Sequence, residues 1–454
     1  MPVPDEHLAP WEGAFDRLLT PFEEFLHRQT TMGVLLMVCA LAALGIANSP
    51  LADEYRHLLH TVVAIDLGPW RIAHSVHHWI NDGLMTLFFF VVGLEIKREV
   101  LVGELSRLQQ ALLPVLAALG GMVVPALLYA GLNHGGENLR GWGIPMATDI
   151  AFAVGVMALL GERVPKALIT FLVALAIVDD LGAVTVIALF YTDTLHVDAL
   201  LAAAGILLGL VVLNRLGVRR PLPYFLLAAL LWMAFEGSGI HATVAGVFAA
   251  WTIPARPRLP PETFTRRMQG LLERFRRQGT PATPLLLNPE QTGTLWKMTQ
   301  TVELAISPLQ RLESSLHLPV AYVVVPLFAL ANAAIVLTPQ HLQQAVTDPL
   351  APGILLGLVL GKLIGIGGTT ALAVRLGIGR LPPKVGLRHI LGAAWLGGIG
   401  FTMSIFIADL AFPGDEARIN AARMGILAAS LVSGLCGYAW LRWAAPPVSG
   451  DDAP

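Results

Sequence analysis

Residues 167 to 190, ALITFLVALAIVDDLGAVTVIALF, form an apolar run long enough to cross a bilayer, and two adjacent aspartates, Asp179 and Asp180, stand in its middle. A charged side chain at bilayer depth costs roughly 2.5–3.5 kcal/mol on insertion scales, so an adjacent pair persists only if protons, cations or basic partners neutralise it. Two further ionisable groups repeat the anomaly: Asp149 in IPMATDIAFAVGVMALL and Lys362 in GILLGLVLGKLIGIGG. Three buried acids and one buried base point to ion or proton chemistry inside a membrane.

The rest of the chain supports a polytopic membrane protein. Of 454 residues, 55% are hydrophobic and 14% charged, against about 25% charged in an average soluble domain. Apolar runs read as about twelve spans, at 30–48, 79–96, 111–132, 143–160, 166–190, 197–214, 222–235, 240–253, 319–337, 350–374, 387–411 and 420–442. Lysine and arginine alternate between the connections. Arg17 and Arg28, Lys97, Arg98 and Arg107, Arg163 and Lys166, Arg215, Arg219 and Arg220, residues 256–311, Arg375 to Arg388, and Arg442 fall on one side. Only Arg56, Arg71, Arg140 and Arg418 fall on the other, so both termini are expected in the cytoplasm.

The predicted organisation is a cytoplasmic N-terminal segment (1–29), spans one to eight (30–254) with an extracytoplasmic loop (49–78), a cytoplasmic insertion (255–318), spans nine to twelve (319–442) and a cytoplasmic tail (443–454). The acidic first 28 residues lack the basic start and short apolar core of a cleavable signal. Cys39 and Cys436 lie in apolar runs and imply neither a disulfide scaffold nor a thiolate metal site. The loop carries His74, His77 and His78 at helical spacing, but no thiolate or carboxylate completes a set, and a solvated loop is expected. Spread over many loops, the basic residues give no nucleic-acid footprint. Within the insertion, Met268, Leu271, Leu272 and Phe275 recur at helical spacing among arginines, so 264–278 reads as a basic amphipathic helix suited to anionic lipid or to a solvated linker.

Desolvation and a like-charged neighbour each favour the protonated form of a carboxylic acid, so an adjacent acidic pair titrates as a unit. Protons and a small hard cation then compete for the same oxygens, with sodium at Asp179 and Asp180 the simplest choice. Successive helical residues point about 100° apart, so one acid can face a water-filled cavity while the other reaches a neighbouring helix. Lys362 is the internal cation available to that second acid, either as a proton carrier or as a brace. Gly141, Gly143 and Pro145 weaken regular helix before Thr148 and Asp149, and GGIGFTMS (397–404) repeats the interruption in span eleven. Interrupted segments at corresponding places in two halves indicate inverted repeats, here spans three to five and ten to twelve, with the ion site between the broken helices. Asp149 there suits compensation of exposed helix N-termini.

FFFVVGLEIKRE (88–99), GGMVVPALLY (120–129), IPMATDIAFAVGVMALLG (144–161), ALAIVDDLGAV (174–184), SGIHATVAG (238–246), PLFALANA (326–333) and GGIGFTMSIFIADLAF (397–412) together resemble the NhaA family of bacterial sodium/proton antiporters. The resemblance implies an all-α fold of twelve helices with inverted repeats and two broken helices, in the bacterial inner (plasma) membrane. It also implies electrogenic, pH-regulated expulsion of sodium or lithium against protons, with no cofactor. By the same resemblance, Asp180 and Asp179 match the cation and proton site, Lys362 the lysine paired with Asp179, and Thr148 and Asp149 the unwound stretch. Glu95, Arg98, Glu99, His241 and Glu313 resemble positions linked to pH response, and 49–78 falls where the family has a β-hairpin joining a homodimer. One departure is an expansion of roughly fifty residues between Pro254 and Ser307, just before Glu313.

Paired intramembrane aspartates also occur in membrane aspartyl proteases, but the G-x-G-D signature is missing here. A retinal-binding pump using Lys362 would have seven spans, and a sodium-coupled symporter would need a polar organic pocket that the spans do not provide.

Overall fold

The computed structural model describes residues 29–67, 70–192, 195–279 and 288–444. The N-terminal segment up to residue 28 and the tail from 445 lie outside the described residues. Buried in lipid, a backbone must satisfy its own polar groups, and the described chain does so almost wholly with helices.

In chain order, α1 (Gln29–Ala47) is followed by α2 (Ala52–His60), and then by an antiparallel hairpin of β1 (Val62–Leu67) and β2 (Trp70–Ser75) with Val62 opposite Ser75. Next come α3 (Val76–Leu101), α4 (Leu108–Leu132), a 3-10 run over Glu137–Met146, α5 (Ile150–Leu159) and α6 (Lys166–Phe190). α7 (Val197–Arg215), α8 (Pro221–Ser238) and α9 (Val244–Thr252) precede the insertion helices α10 (Pro261–Gln278) and α11 (Pro289–Ala305). The chain continues through α12 (Pro308–Asn332), α13 (Leu350–Arg375), α14 (Leu387–Gly397), α15 (Phe401–Ala411) and α16 (Glu416–Ala444). Among the described residues, eight helices are long and apolar enough to cross a membrane, or up to eleven spans if each of three bent pairs counts as one. Two of these pairs are the interrupted segments, bent by 43° before α5 and by 44° between α14 and α15.

The helices fall into two compact units. Of the described residues, those within 1–85, 99–192 and 321–454 form one, and those within 86–98 and 193–320 the other. In the first, α4 packs along α13 and α6, and a continuous core runs through Leu168, Leu172, Leu175, Ile366 and Leu396. Glycine sets how closely α4 and α13 approach. A Cβ on Gly365 would overlap the Gly120 carbonyl, and one on Gly361 would lie 2.7 Å from the Cα of Pro125. In the second unit, α8 packs on α7 and α9.

Several sequence expectations shift. The expected eighth span shrinks to the nine residues of α9, because Gly239 adopts φ 85°, ends α8 in a left-handed cap and is followed by a turn. α12 begins at Pro308, behind a Ser307–Gln310 capping box, so Glu313 belongs to the helix rather than to the insertion. The segment 49–78 contains α2 and, where the resemblance implies a β-hairpin, the strands β1 and β2, rather than only a solvated loop, and His77 is half-buried, 3.0 Å from Asn332. Helix α10 forms as expected, but it packs on α11, with Leu271 buried and Leu272 45% exposed. Gln291 Nε2 donates to the Phe275 carbonyl at 3.0 Å and Asn288 Nδ2 to the Gln278 carbonyl at 2.8 Å, so the apolar stripe has an internal partner.

Gly365→Ala should lower thermal stability by about 1–3 kcal/mol, the usual cost of overpacking. Gly368→Ala, whose Cβ would meet nothing within 4 Å, should not. Thermal unfolding of the two purified variants in detergent checks this; equal melting temperatures would rule out the glycine-governed crossing.

Candidate functional site

The broken segments bring the sequence-singled residues together. After the 3-10 run, residues 147–149 leave helical geometry, and Asp149 takes an extended conformation (φ −82°, ψ 101°) as N-cap of α5. Its Oδ1 accepts the Phe152 N–H at 3.0 Å. Its Oδ2 accepts the Thr402 N–H at 3.1 Å and the Thr402 hydroxyl at 2.6 Å, in the first turn of α15. One carboxylate therefore caps two half-helices, each with unsatisfied N–H groups and a positive dipole end. The Asp149 N–H donates to the Ile399 carbonyl at 2.6 Å, which ties the two breaks directly.

Next to it, the buried Thr148 hydroxyl lies 2.8 Å from Asp179 Oδ2 and 2.8 Å from the Gly397 carbonyl at the end of α14. A hydroxyl carries one proton, so it donates to one of these acceptors at a time. Lys362 Nζ reaches the same Asp179 Oδ2 at 2.5 Å, and both side chains are fully removed from solvent. The lysine follows directly on a π-type widening of α13 at Gly357–Gly361, where Gly357 packs against Pro145 and Gly361 against Pro125. Asp179 Oδ1 accepts no hydrogen bond from the described residues. Asp180 is 1% exposed and, one residue on, is turned about 100° around α6 from Asp179.

The groups singled out for pH response divide. Arg98 Nε donates to Glu313 Oε1 at 2.9 Å, and Glu95 Oε1 lies 3.7 Å from His317 Nδ1. Glu99 is buried, and its Oε2 accepts the Glu104 N–H at 2.9 Å. His241 Nδ1 stands 2.8 Å from the Thr243 hydroxyl, in the turn before α9. Sequence reading missed a further cluster of Asn81, Asn332, Asp409 and Arg423. The signal was present, since Asp409 and Arg423 are ionisable groups within assigned spans.

A profile of the family described as Na+/H+ antiporter 1 matches residues 23–441 of the chain. The chain belongs to the NhaA family of sodium/proton antiporters. Among its relatives, Na(+)/H(+) antiporter NhaA 1 of Saccharophagus degradans is 52% identical over 97% of this chain and 95% of the relative. Na(+)/H(+) antiporter NhaA of Sulfurimonas denitrificans is 51% identical over 96% and 98%, and that of Syntrophobacter fumaroxidans 49% identical over 95% and 92%. NhaA proteins are secondary transporters rather than enzymes, which removes the protease reading, and sodium and protons are the substrates the family implies.

The Asp179–Lys362 contact is testable without transport. Lys362→Ala leaves a buried carboxylate without its counter-charge, a change that costs about 3–5 kcal/mol. Adding Asp179→Asn should recover much of that loss, as read by thermal unfolding in detergent. Additive losses in the double variant would contradict a direct pair.

Proposed function

We propose that this NhaA-family protein expels sodium, or lithium, in electrogenic exchange for a larger number of protons, with Asp180 as the leading cation ligand and proton carrier. The reading is carried by the burial of two adjacent carboxylates beside the crossing of two broken helices, with one of them already shared between a lysine and a threonine hydroxyl. A buried acidic pair binds protons at low pH; sodium entering the same oxygens displaces them. Asp180 and Asp179 supply the oxygens for sodium. Thr148 positions Asp179, Asp149 holds the two half-helices in register, and Lys362 balances Asp179 between ion-bound and proton-bound states. Rocking of the repeat helices then exposes the site to either side in turn.

pH regulation belongs in this proposal with Glu95, Arg98, Glu99, His241 and Glu313. The Arg98–Glu313 bond is the supporting contact, since it links α3 to α12 and protonation of the Glu313 carboxylate would remove its charge from the pair. The chain sits in the bacterial inner membrane with both termini cytoplasmic, as the lysine and arginine distribution supports. Hairpin β1–β2 is the candidate contact for a homodimer, and the exposed arginines of α10, with Leu272 and Trp296, are the candidate contact for anionic lipid.

Inside-out vesicles carrying the protein and acidified inside should lose part of their pH gradient when sodium is added, and Asp180→Asn should abolish the response at matched expression. A response that survives Asp180→Asn removes Asp180 from the transport step. Competition also fixes the pH dependence. In the range where the site is protonated, the apparent KM for sodium should rise about tenfold per unit fall in pH for each proton displaced. A KM independent of pH would exclude shared oxygens.

A further inference from the structure

The missed cluster lies away from the aspartate pair, and its bonding is dense. Asn81 and Asn332 pair their amides reciprocally: Asn332 Nδ2 donates to Asn81 Oδ1 at 2.7 Å and Asn81 Nδ2 to Asn332 Oδ1 at 3.3 Å. Asn81 Nδ2 also reaches Asp409 Oδ2 at 3.1 Å. Arg423 Nη2 lies 2.9 and 3.1 Å from the two Asp409 oxygens and 3.0 Å from Asn332 Oδ1. The Arg423 and Asp409 side chains are only 10% and 12% exposed, and Asn332 is fully buried.

Position gives the cluster its meaning. Asn81 stands near the start of α3, Asn332 at the end of α12, Asp409 near the end of α15 and Arg423 in the second turn of α16. All four are span ends opposite to the basic connections, hence on the extracytoplasmic side of the proposed orientation. On α15, Asp409 follows Thr402 by seven residues, so both lie on nearly the same face about 10 Å apart along the axis. Since Thr402 holds Asp149, the cluster stands over the helix crossing on its outer side. It also joins two sets of helices. α15 and α16 belong to the second run of three repeat spans, whereas α3 and α12 belong to neither run.

A buried ion pair is a poor source of net stability, because the desolvation of both charges offsets most of their attraction. It suits a contact that must break. Once separated into water, Asp409 and Arg423 recover their hydration, so the paired and parted states differ little in free energy. Arg423 Nε has no hydrogen-bond acceptor among the described residues, which further limits the paired state.

We infer that Asp409 and Arg423, joined to Asn81 and Asn332, form a latch that closes the extracytoplasmic side of the ion path and parts when the site turns outward. The inference rests on the antiport reading. Asp409→Asn or Arg423→Gln favours the outward-open state, and apparent affinity scales with the fraction of protein open to the ion. In proteoliposomes of fixed orientation, the apparent KM for sodium at the extracytoplasmic face should fall and that at the cytoplasmic face should rise, changing their ratio by about fivefold or more. The double variant should shift the ratio no further than either single one, because all three break one link. Arg423→Lys should restore it in part. Asn81→Ala, which leaves the ion pair intact, should give a smaller shift in the same direction and serves if the charge variants do not fold. An unchanged ratio, or equal losses at both faces with a lowered melting temperature, would make the cluster a brace and overturn the latch. Absence of sodium-driven proton flux in the unsubstituted protein would overturn the antiport reading, and the latch with it.

Discussion

An ammonium and a carboxylate 2.5 Å apart, both without solvent contact, persist inside a membrane-spanning bundle only where neighbouring helices hold them in place. Lys362 and Asp179 meet because Gly120, Gly121 and Gly365 let α4 and α13 approach backbone to backbone, and because α6 lies alongside α4. The same contact leaves Asp180 turned to a different face of α6. Loss of the glycine crossing would separate the pair and leave two unneutralised charges in the core. The architecture of the first unit is thus tied to the electrostatics of this one contact.

The broken helices add the second requirement, that backbone ends inside the protein be satisfied. Asp149 meets it by capping α5 and α15 with one carboxylate, and Thr148 meets it by placing its hydroxyl between Asp179 and the end of α14. These bonds connect the charge state of the acidic pair to the ends of both interrupted segments. A change of charge at Asp179 alters where the Thr148 proton goes, and that proton also serves the Gly397 carbonyl. In the proposed mechanism, ion binding and helix position are therefore not independent.

Much of this was legible in the sequence because charges in apolar runs are costly and therefore conspicuous. Asp179, Asp180, Asp149 and Lys362 could be found one by one, and Gly141, Gly143 and Pro145 marked one helix break through their low helix propensity alone. Partner identity was only partly legible. The double cap by Asp149 depends on Thr402, more than 250 residues away, and no local pattern joins them. Asp409 and Arg423, although ionisable and within assigned spans, are overlooked for another reason. They lie close to span ends, where a charge reads as solvated, and only the fold shows that the neighbouring amides bury them. In the sequence the stripe on α10 suited either anionic lipid or a solvated linker, because nothing in its own periodicity shows that α11 covers it.

Proton release on sodium binding tests the central claim most directly. Purified protein in weakly buffered detergent solution at mildly alkaline pH, containing a pH indicator, should acidify the medium when sodium chloride is added and not when choline chloride is added. Asp180→Asn should remove the signal. Sodium binding detected by calorimetry with no accompanying proton release would contradict competition for the buried carboxylates.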